Sequence, residues 1–206
     1  MKVPRHTLDA TRKAAARCHD CPLWEHATQT VFGEGPDKAG LMLVGEVPGD
    51  KEDLAGHPFV GPAGALLDQA LTAAGVSRAM VYVTNAVKHF KWEPRGKRRL
   101  HKTPAQAEVA ACHQWLEREL ELVGPRLIVA LGATAARALL GPGTTVESNR
   151  GKTLHLDDGT PVRITVHPSA VLRVPREAHA EAYERFLADI KAAVRLLDRM
   201  RGTAAR

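Results

Sequence analysis

In Leu41–Asp50, LMLVGEVPGD, an apolar run passes directly into a loop with a proline, a glycine and two acids. The run does not alternate between apolar and polar residues, which is typical of a strand covered on both faces of a parallel sheet. Three further runs have the same character: residues 81–87 (VYVTNAV), Leu127–Leu131 (LIVAL) and residues 162–166 (VRITV).

Helical patterns separate these runs. Apolar residues recur at helical spacing in four segments: residues 63–74, 104–122, 134–140 and 177–200. Strands that alternate with helices predict a three-layer α/β/α fold with a central four-stranded parallel sheet. We expect one domain over residues 1–206, with an N-terminal arm at 1–40 and an α/β core at 41–200.

Composition restricts the class of protein but does not identify it. The chain has 206 residues, 44% of them apolar, which is enough for a buried core. Neither a membrane-spanning run nor the apolar centre of a signal peptide is present, so we expect a cytoplasmic monomer. The net charge of +6 permits a polyanionic partner without requiring one.

The segments that follow the strands carry the unusual chemistry. Ligands bind at the carboxyl ends of strands in such sheets, so these segments are expected to converge. After the first strand, Glu46 and Asp50 are candidate catalytic acids. Phe59 lies in a glycine- and proline-rich loop, where it is suited to stack on a nucleobase. Gly61 would let a nucleic-acid backbone approach closely.

Several of these motifs resemble one family. GEVPGDKEDLAGHPFVGPAG (45–64), with VTNAVK (83–88) and VHPS (166–169), is similar to the uracil-DNA glycosylase superfamily, in particular its iron–sulfur branch. The KRRLH loop (97–101) resembles the X-type (UdgX) subgroup, whose members excise uracil and stay covalently attached to the DNA. The resemblance extends from Cys18 to the final helix. It implies uracil-containing DNA as substrate, with single strands preferred, and a [4Fe–4S] cluster.

The cysteines suggest a metal site. Cys18 and Cys21 form a C-x-x-C motif, which without a signal peptide indicates metal or redox chemistry, and Cys112 lies on the predicted helix 104–122. Cluster-containing relatives have a fourth cysteine where this chain has His89, so His89 is the candidate fourth ligand. Three thiolates and an imidazole also suit zinc, and Cys112 could instead be a buried apolar residue and His89 a loop base. The competing donors are His19, His26 and His113.

Cleavage of the glycosidic bond requires a flipped base and hydrogen bonds to the charge that grows on the leaving uracil. Asn85 offers both a donor and an acceptor, and the resemblance implies that it binds uracil. The resemblance also assigns a hydrogen bond to uracil O2 to His167 and a phosphate contact to Ser169. Backbone amides around Gly45 and Val47 would face a uracil oxygen. X-type relatives commonly have glutamine in place of Val47, so the contacts of that side chain are lost here.

The KRRLH loop combines positive charge with a histidine. Residues 88–102 hold seven Lys or Arg and one acid, which is typical either of a phosphate-binding surface formed by Lys97, Arg98 and Arg99 or of a solvated loop. A neutral His101 near the sugar can attack C1′, and the neighbouring bases oppose its protonation. Glu46 is the candidate acceptor for the other ring N–H of His101.

Three alternatives remain open from the sequence. The first is a uracil-DNA glycosylase with ordinary turnover, in which His101 only binds DNA. The second is a single-strand binding module without catalysis. The third is a zinc-stabilised scaffold without a nucleic-acid role.

Overall fold

The computed structural model describes residues 7–204. The strands are β1 (Leu41–Gly45), β2 (Val81–Asn85), β3 (Trp92–Arg95), β4 (Arg98–His101), β5 (Leu127–Leu131), β6 (Thr153–His155) and β7 (Pro161–Thr165). The helices are α1 (Leu8–Ala15), α2 (Asp50–Ala55), α3 (Pro62–Ala73), α4 (Gln106–Val123), α5 (Ala133–Leu140), α6 (Val146–Asn149), α7 (Pro168–Arg173) and α8 (His179–Ala204). Short 3₁₀ turns occur at Pro22–Glu25, Arg78–Met80 and Arg176–Ala178.

The main sheet has the strand order β2-β1-β5-β7-β6. Its first four strands are parallel, which confirms the predicted α/β fold and all four predicted strands. The fifth strand, β6, pairs antiparallel with β7 at the edge and was not predicted. It is three residues long with only Leu154 half-buried, so it carries almost no apolar pattern.

Both faces of the sheet are covered, as the continuous apolar runs predicted. All five residues of β1 are buried. Leu41 and Leu43 pack on one face in a cluster with residues of α3 and α8, whereas Met42 and Val44 pack on the other face with residues of α1, α4 and α5. Successive side chains of a strand point to opposite faces, so one short segment anchors both helical layers.

The KRRLH segment is not a plain loop. β3 and β4 form a separate antiparallel hairpin in which Trp92 is opposite His101 and Arg95 is opposite Arg98. Gly96 lies in the turn with φ of 58°, a conformation that favours glycine. The hairpin therefore fixes His101 at its base, and its exposed tip carries the positive charge.

The N-terminal arm is tied to the core by backbone contacts. Glu34 forms an antiparallel bridge with Val83 of β2, and the Val31 N–H donates to the Lys88 carbonyl. The division of the chain into an arm at 1–40 and a core at 41–200 stays a prediction, and residues 1–6 lie outside the described part. In residues 7–204, no helix has the length and apolar character to span a membrane.

Candidate active site and metal centre

A cavity of about 520 Å³ opens at the carboxyl edge of the sheet. Its walls come from the segments that follow β1, β2 and β7 and from the end of the hairpin. The predicted site residues that line it are Val47, Asp50, Phe59, Asn85, His101, His167 and Ser169. Residues more than a hundred positions apart in the sequence therefore line one cavity, as predicted from the rule that ligands bind at the carboxyl ends of the strands.

The base of the cavity depends on a glycine. Gly45 is the register partner of Asn85 in the parallel pairing of β1 with β2. A Cβ on Gly45 would lie 2.4 Å from Asn85 Oδ1 and 2.5 Å from Phe59 Cζ. Phe59 itself has φ of 56°, which is unusual for a bulky residue, and is buried. Gly45 therefore leaves the space in which the ring of Phe59 and the amide of Asn85 face the cavity.

His167 has one identifiable tautomer. It caps the N-terminus of α7, where its Nδ1 accepts the Ser169 backbone N–H at 3.2 Å. An accepting Nδ1 carries no proton, so the proton of the neutral ring is on Nε2. Burial, with smaller contributions from His101 and Arg173, lowers the pKa of His167 to about 4. At neutral pH the ring is an uncharged Nε2–H donor in the cavity wall.

His101 lies close to Glu46, as predicted, but is not hydrogen-bonded to it. The His101 Nε2 to Glu46 Oε1 distance is 4.0 Å, which is too long for a hydrogen bond. The other oxygen of Glu46 accepts the Thr134 hydroxyl at 2.7 Å, a partner that the sequence did not reveal. The pKa of His101 is lowered, as expected. Burial is the main cause, and among basic residues Arg173 contributes rather than the neighbours on the hairpin.

Arg99 departs from its predicted role in DNA binding. Its guanidinium bonds Asp50 Oδ1 and Asp53 Oδ2, both at 2.6 Å, and lies over the rings of Phe90 and Trp92. A guanidinium bound to two carboxylates has little capacity left for a phosphate. Arg99 is therefore a brace between the hairpin and α2, and Asp50 is the surface partner in that brace.

The exposed bases of the hairpin tip are Arg95 and two of the residues predicted to bind DNA, Lys97 and Arg98. For these two residues the expected DNA-facing position is compatible with the structure.

Gly61 also differs from the expectation. It is buried, and its N–H donates to Glu52 Oε1 at 2.7 Å. The other oxygen of Glu52 accepts the Gly49 N–H at 3.1 Å. Glu52 thus joins the loop after β1 to the start of α3, and the close approach at Gly61 serves this carboxylate rather than a nucleic-acid backbone.

The four predicted metal ligands line a second, smaller cavity between the arm and α4. They are Cys18, Cys21, His89 and Cys112. None of the competing histidines borders it in the described chain; His19 stacks on Trp24, and His113 lies 3.4 Å from Glu117. Burial is the largest cause of a raised pKa for Cys21 and raises the pKa of Cys112 to about 11.

The hydrogen bonds of His89 leave one ring nitrogen free to bind a metal. Its Nε2 is 2.8 Å from the Thr30 hydroxyl oxygen, and that hydroxyl donates its proton to the Ala15 carbonyl. Thr30 must therefore accept the Nε2–H, so Nδ1 holds the lone pair. The donor set of three thiols and one imidazole fits a metal cluster.

No three Cys, His, Asp or Glu side chains within residues 7–204 converge to hold a single metal ion.

Comparison with known proteins agrees with this site. Residues 32–191 match the model of the uracil DNA glycosylase superfamily. The chain belongs to this superfamily. It is 43% identical to the type-4 uracil-DNA glycosylase of Pyrobaculum aerophilum over 175 residues, and the aligned region covers 82% of this chain and 86% of the relative. A type-4 uracil-DNA glycosylase of Thermotoga maritima is 38% identical over 174 residues, 84% of this chain and 87% of the relative. The superfamily resemblance is confirmed, and membership of the X-type subgroup stays a prediction.

A buried ion pair connects the two halves of this uracil-DNA glycosylase-like site. Lys88 Nζ bonds Glu119 Oε2 at 2.5 Å, Thr84 Oγ1 at 2.7 Å and the Asn85 carbonyl at 2.6 Å. The Lys88 backbone N–H donates to Cys112 Sγ at 3.2 Å. Lys88 thus contacts both a candidate metal ligand and the residue that carries the candidate uracil amide.

Lys88→Met is expected to lower the free energy of unfolding by about 3–5 kcal/mol, because Glu119 would keep a buried charge without its partner. Thermal unfolding of the wild type, Lys88→Met, Glu119→Gln and the double variant would measure this. The double variant should recover much of the loss, since it removes both charges. Additive losses from the two single changes would show that the pair is not coupled.

Proposed function

We propose that this protein is a uracil-DNA glycosylase that excises uracil, with single-stranded DNA preferred, and then stays attached to the sugar through His101. The supporting observation is that one cavity holds Phe59, Asn85 and His167 on the base side and His101 on the hairpin wall. The relatives named type-4 uracil-DNA glycosylases support the reaction class.

Uracil is bound by groups that have no partner in the described protein. The Asn85 side-chain amide makes no hydrogen bond to residues 7–204, and neither does the Val47 N–H. The amide can pair with the O4 and N3–H edge of uracil, and the Val47 N–H can reach a uracil oxygen. Phe59 stacks on the base. A base that lacks the matching donors and acceptors would leave these buried polar groups without hydrogen bonds, so the site also discriminates against such a base.

His167 stabilises the leaving base. As the C1′–N1 bond breaks, its electron pair moves onto uracil, and negative charge grows on O2. The neutral Nε2–H of His167 donates to that oxygen without delivering a full positive charge. A single preorganised donor of this kind contributes about 10²–10³-fold to the rate.

The covalent step uses the lone pair of His101. One ring nitrogen forms a bond to C1′ as the bond to uracil breaks, and the resulting imidazolium passes its other N–H proton to Glu46. Thr134 holds the Glu46 carboxylate in place for this transfer. The 4.0 Å gap must shorten when DNA binds, which is common for catalytic contacts. Asp50 acts indirectly, since it fixes Arg99 and thereby the hairpin.

DNA phosphates are bound around the mouth of the cavity. Lys97 and Arg98 at the hairpin tip and Arg173 on the cavity wall supply positive charge, and Ser169 supplies a hydroxyl. Affinity for DNA should therefore fall steeply with salt.

The pH dependence of adduct formation should follow His101. The neutral imidazole is the reactive form, and the pKa of His101 is lowered by burial, so protonation removes the nucleophile only below the ordinary histidine value of about 6.5. The rate of adduct formation is expected to be nearly constant from pH 8 to neutrality, with the midpoint of its acid limb below about 6.5. Quenched single-turnover reactions across a pH series measure this. A midpoint above that value would contradict the proposed nucleophile.

Cys18, Cys21, Cys112 and His89 are proposed to hold a [4Fe–4S] cluster. The cluster would join the N-terminal arm to α4 and support Val47, which packs in the same apolar group as Cys112 and Cys21. Cys112→Ser is expected to lower bound iron and sulfide sharply, whereas His113→Ala on the same helix should leave both unchanged. Colorimetric iron and sulfide assays with the visible spectrum measure this; zinc in place of iron would overturn the cluster assignment.

The test of the function is a denaturing gel. The protein is mixed with a labelled single-stranded oligonucleotide that carries one deoxyuridine, and the sample is boiled in SDS. A heat-resistant retarded band, absent when thymine replaces uracil, is expected. Strand scission after alkali without that band would instead indicate a glycosylase with ordinary turnover. Neither product would indicate a binding module.

A further inference from the structure

A third cavity, of about 480 Å³, lies between α4 and α5, and the proposed reaction does not use it. It shares no lining residue with the first cavity, but two of its residues are close to catalytic candidates, one in sequence and one through a hydrogen bond. Pro104, which lines it, follows His101 by three residues. Thr134, also in its wall, is the residue whose hydroxyl binds Glu46. The cavity therefore begins behind the nucleophile and its carboxylate.

The apolar part of the lining, called the floor below, includes Val109, Ala110 and Ala138. Gln106 and Arg137 line the same cavity and are exposed. The Arg137 guanidinium makes no ion pair or hydrogen bond with any residue in the described range 7–204. This distinguishes Arg137 from Arg99, whose charge is already neutralised. The Arg137 guanidinium, next to this apolar lining, is suited to a ligand that has both a flat apolar face and a negative charge.

We infer that this cavity binds a nucleotide that flanks the uracil on the same strand. The base packs on the apolar floor, Gln106 meets its polar edge, and Arg137 binds a phosphate of the strand. This inference rests on the proposed function, because the uracil in the first cavity places the neighbouring nucleotides beside His101. The position of Pro104 three residues after His101, and the hydrogen bond of Thr134 to Glu46, favour the DNA strand over an unrelated ligand. Contacts of this type are tolerant of sequence, since every base has a flat face.

The subsite has a consequence for the covalent step. A nucleotide held against Thr134 restricts the sugar–phosphate backbone close to Glu46 and His101. An unoccupied subsite would leave the target sugar less firmly placed. The subsite would hold the nucleotide on one side of the uracil only. An abasic spacer in place of that nucleotide should therefore weaken DNA binding, whereas a spacer on the other side should not.

The experiment measures affinity without cleavage. Fluorescent single strands carry 2′-fluoro-2′-deoxyuridine, which resists loss of the base, with an abasic spacer on the 5′ side, the 3′ side or neither. Dissociation constants are obtained by anisotropy for the wild type and for Ala110→Phe, whose ring would occupy the cavity. Ala188→Phe, an exposed alanine on α8, is the matched control. Excision and crosslinking of an ordinary deoxyuridine strand are tested in parallel, so failure of the proposed function is seen separately.

One spacer is expected to weaken wild-type binding roughly tenfold, the scale of one lost base stack. Ala110→Phe should weaken binding of the intact strand by a similar factor and should be insensitive to that spacer, whereas Ala188→Phe should behave as wild type. Arg137→Gln should lower the slope of log affinity against log salt by about one, and Arg118→Gln on the outer face of α4 should not. Equal binding of all strands by the wild type, or unchanged binding by Ala110→Phe, would overturn the subsite.

Discussion

His101→Ser is expected to abolish the heat-resistant adduct and to give repeated turnover on single-stranded DNA that contains uracil. The serine hydroxyl is a poor nucleophile at neutral pH and is shorter than imidazole, so space for water opens next to C1′. The groups proposed to bind and release uracil, Phe59, Asn85 and His167, are unchanged in this variant. Glu46 also remains, held by Thr134, and can accept a proton from the attacking water.

The measurement is a pair of assays on the same variant. The SDS gel reports the adduct, and alkaline strand scission with excess substrate reports turnover. His155→Ser is the matched control, since His155 is exposed on the edge strand β6 and should still form the adduct. An adduct that persists in His101→Ser would place the covalent bond elsewhere. Loss of both adduct and excision would make His101 a structural or DNA-binding residue.

The parts of the fold that could be predicted from the sequence are those in which a local pattern has one physical solution. β1 and β5 are continuous apolar runs too short for buried helices, and their observed bounds match the prediction. Because parallel strands end at a common edge, Asn85 and His167 could be placed in one site without any coordinates.

The hairpin could not be found in this way. Its two strands bury little and half of their eight residues are charged, so there is no apolar alternation to detect. What holds it is tertiary: Arg99 reaches the carboxylates of α2, almost fifty residues earlier in the chain. Charge density alone therefore suggested DNA binding for every base in the loop, although one of them is a brace.

The buried position of Lys88 could not be predicted from the sequence either. A lysine after a strand is usually exposed, and only the folded chain brings Glu119, thirty-one residues later, next to it. The identity of His89 as a candidate ligand came from a resemblance. The structure adds the independent reason, which is the Thr30 hydrogen bond that leaves Nδ1 free.

Gly45→Ala is expected to lower the rate of uracil excision by about 100-fold or more, the scale of a misplacement of roughly 1 Å in a catalytic site. A Cβ at this position would meet the Asn85 amide oxygen and the Phe59 ring at 2.4 and 2.5 Å, so both proposed uracil-binding groups must move. Neither can move freely. Asn85 is held by the pairing of β2 with β1 and through its carbonyl by Lys88, and the backbone of Phe59 packs closely against Gly64.

Gly40→Ala is the control, because it precedes the same strand and its added Cβ would meet the flexible end of Arg201 at 3.4 Å and the Leu197 methyl groups at 3.8 and 3.9 Å, all ordinary contact distances. Single-turnover excision and thermal unfolding of both variants separate the possible causes. A large loss of activity in Gly45→Ala with little loss of stability would mean that the glycine exists to let base-binding groups approach. Equal losses of activity in both variants would mean that β1 tolerates no side chain for reasons of packing. Wild-type activity in Gly45→Ala would exclude uracil from the space between Phe59 and Asn85, and the proposed binding of the base would fail with it.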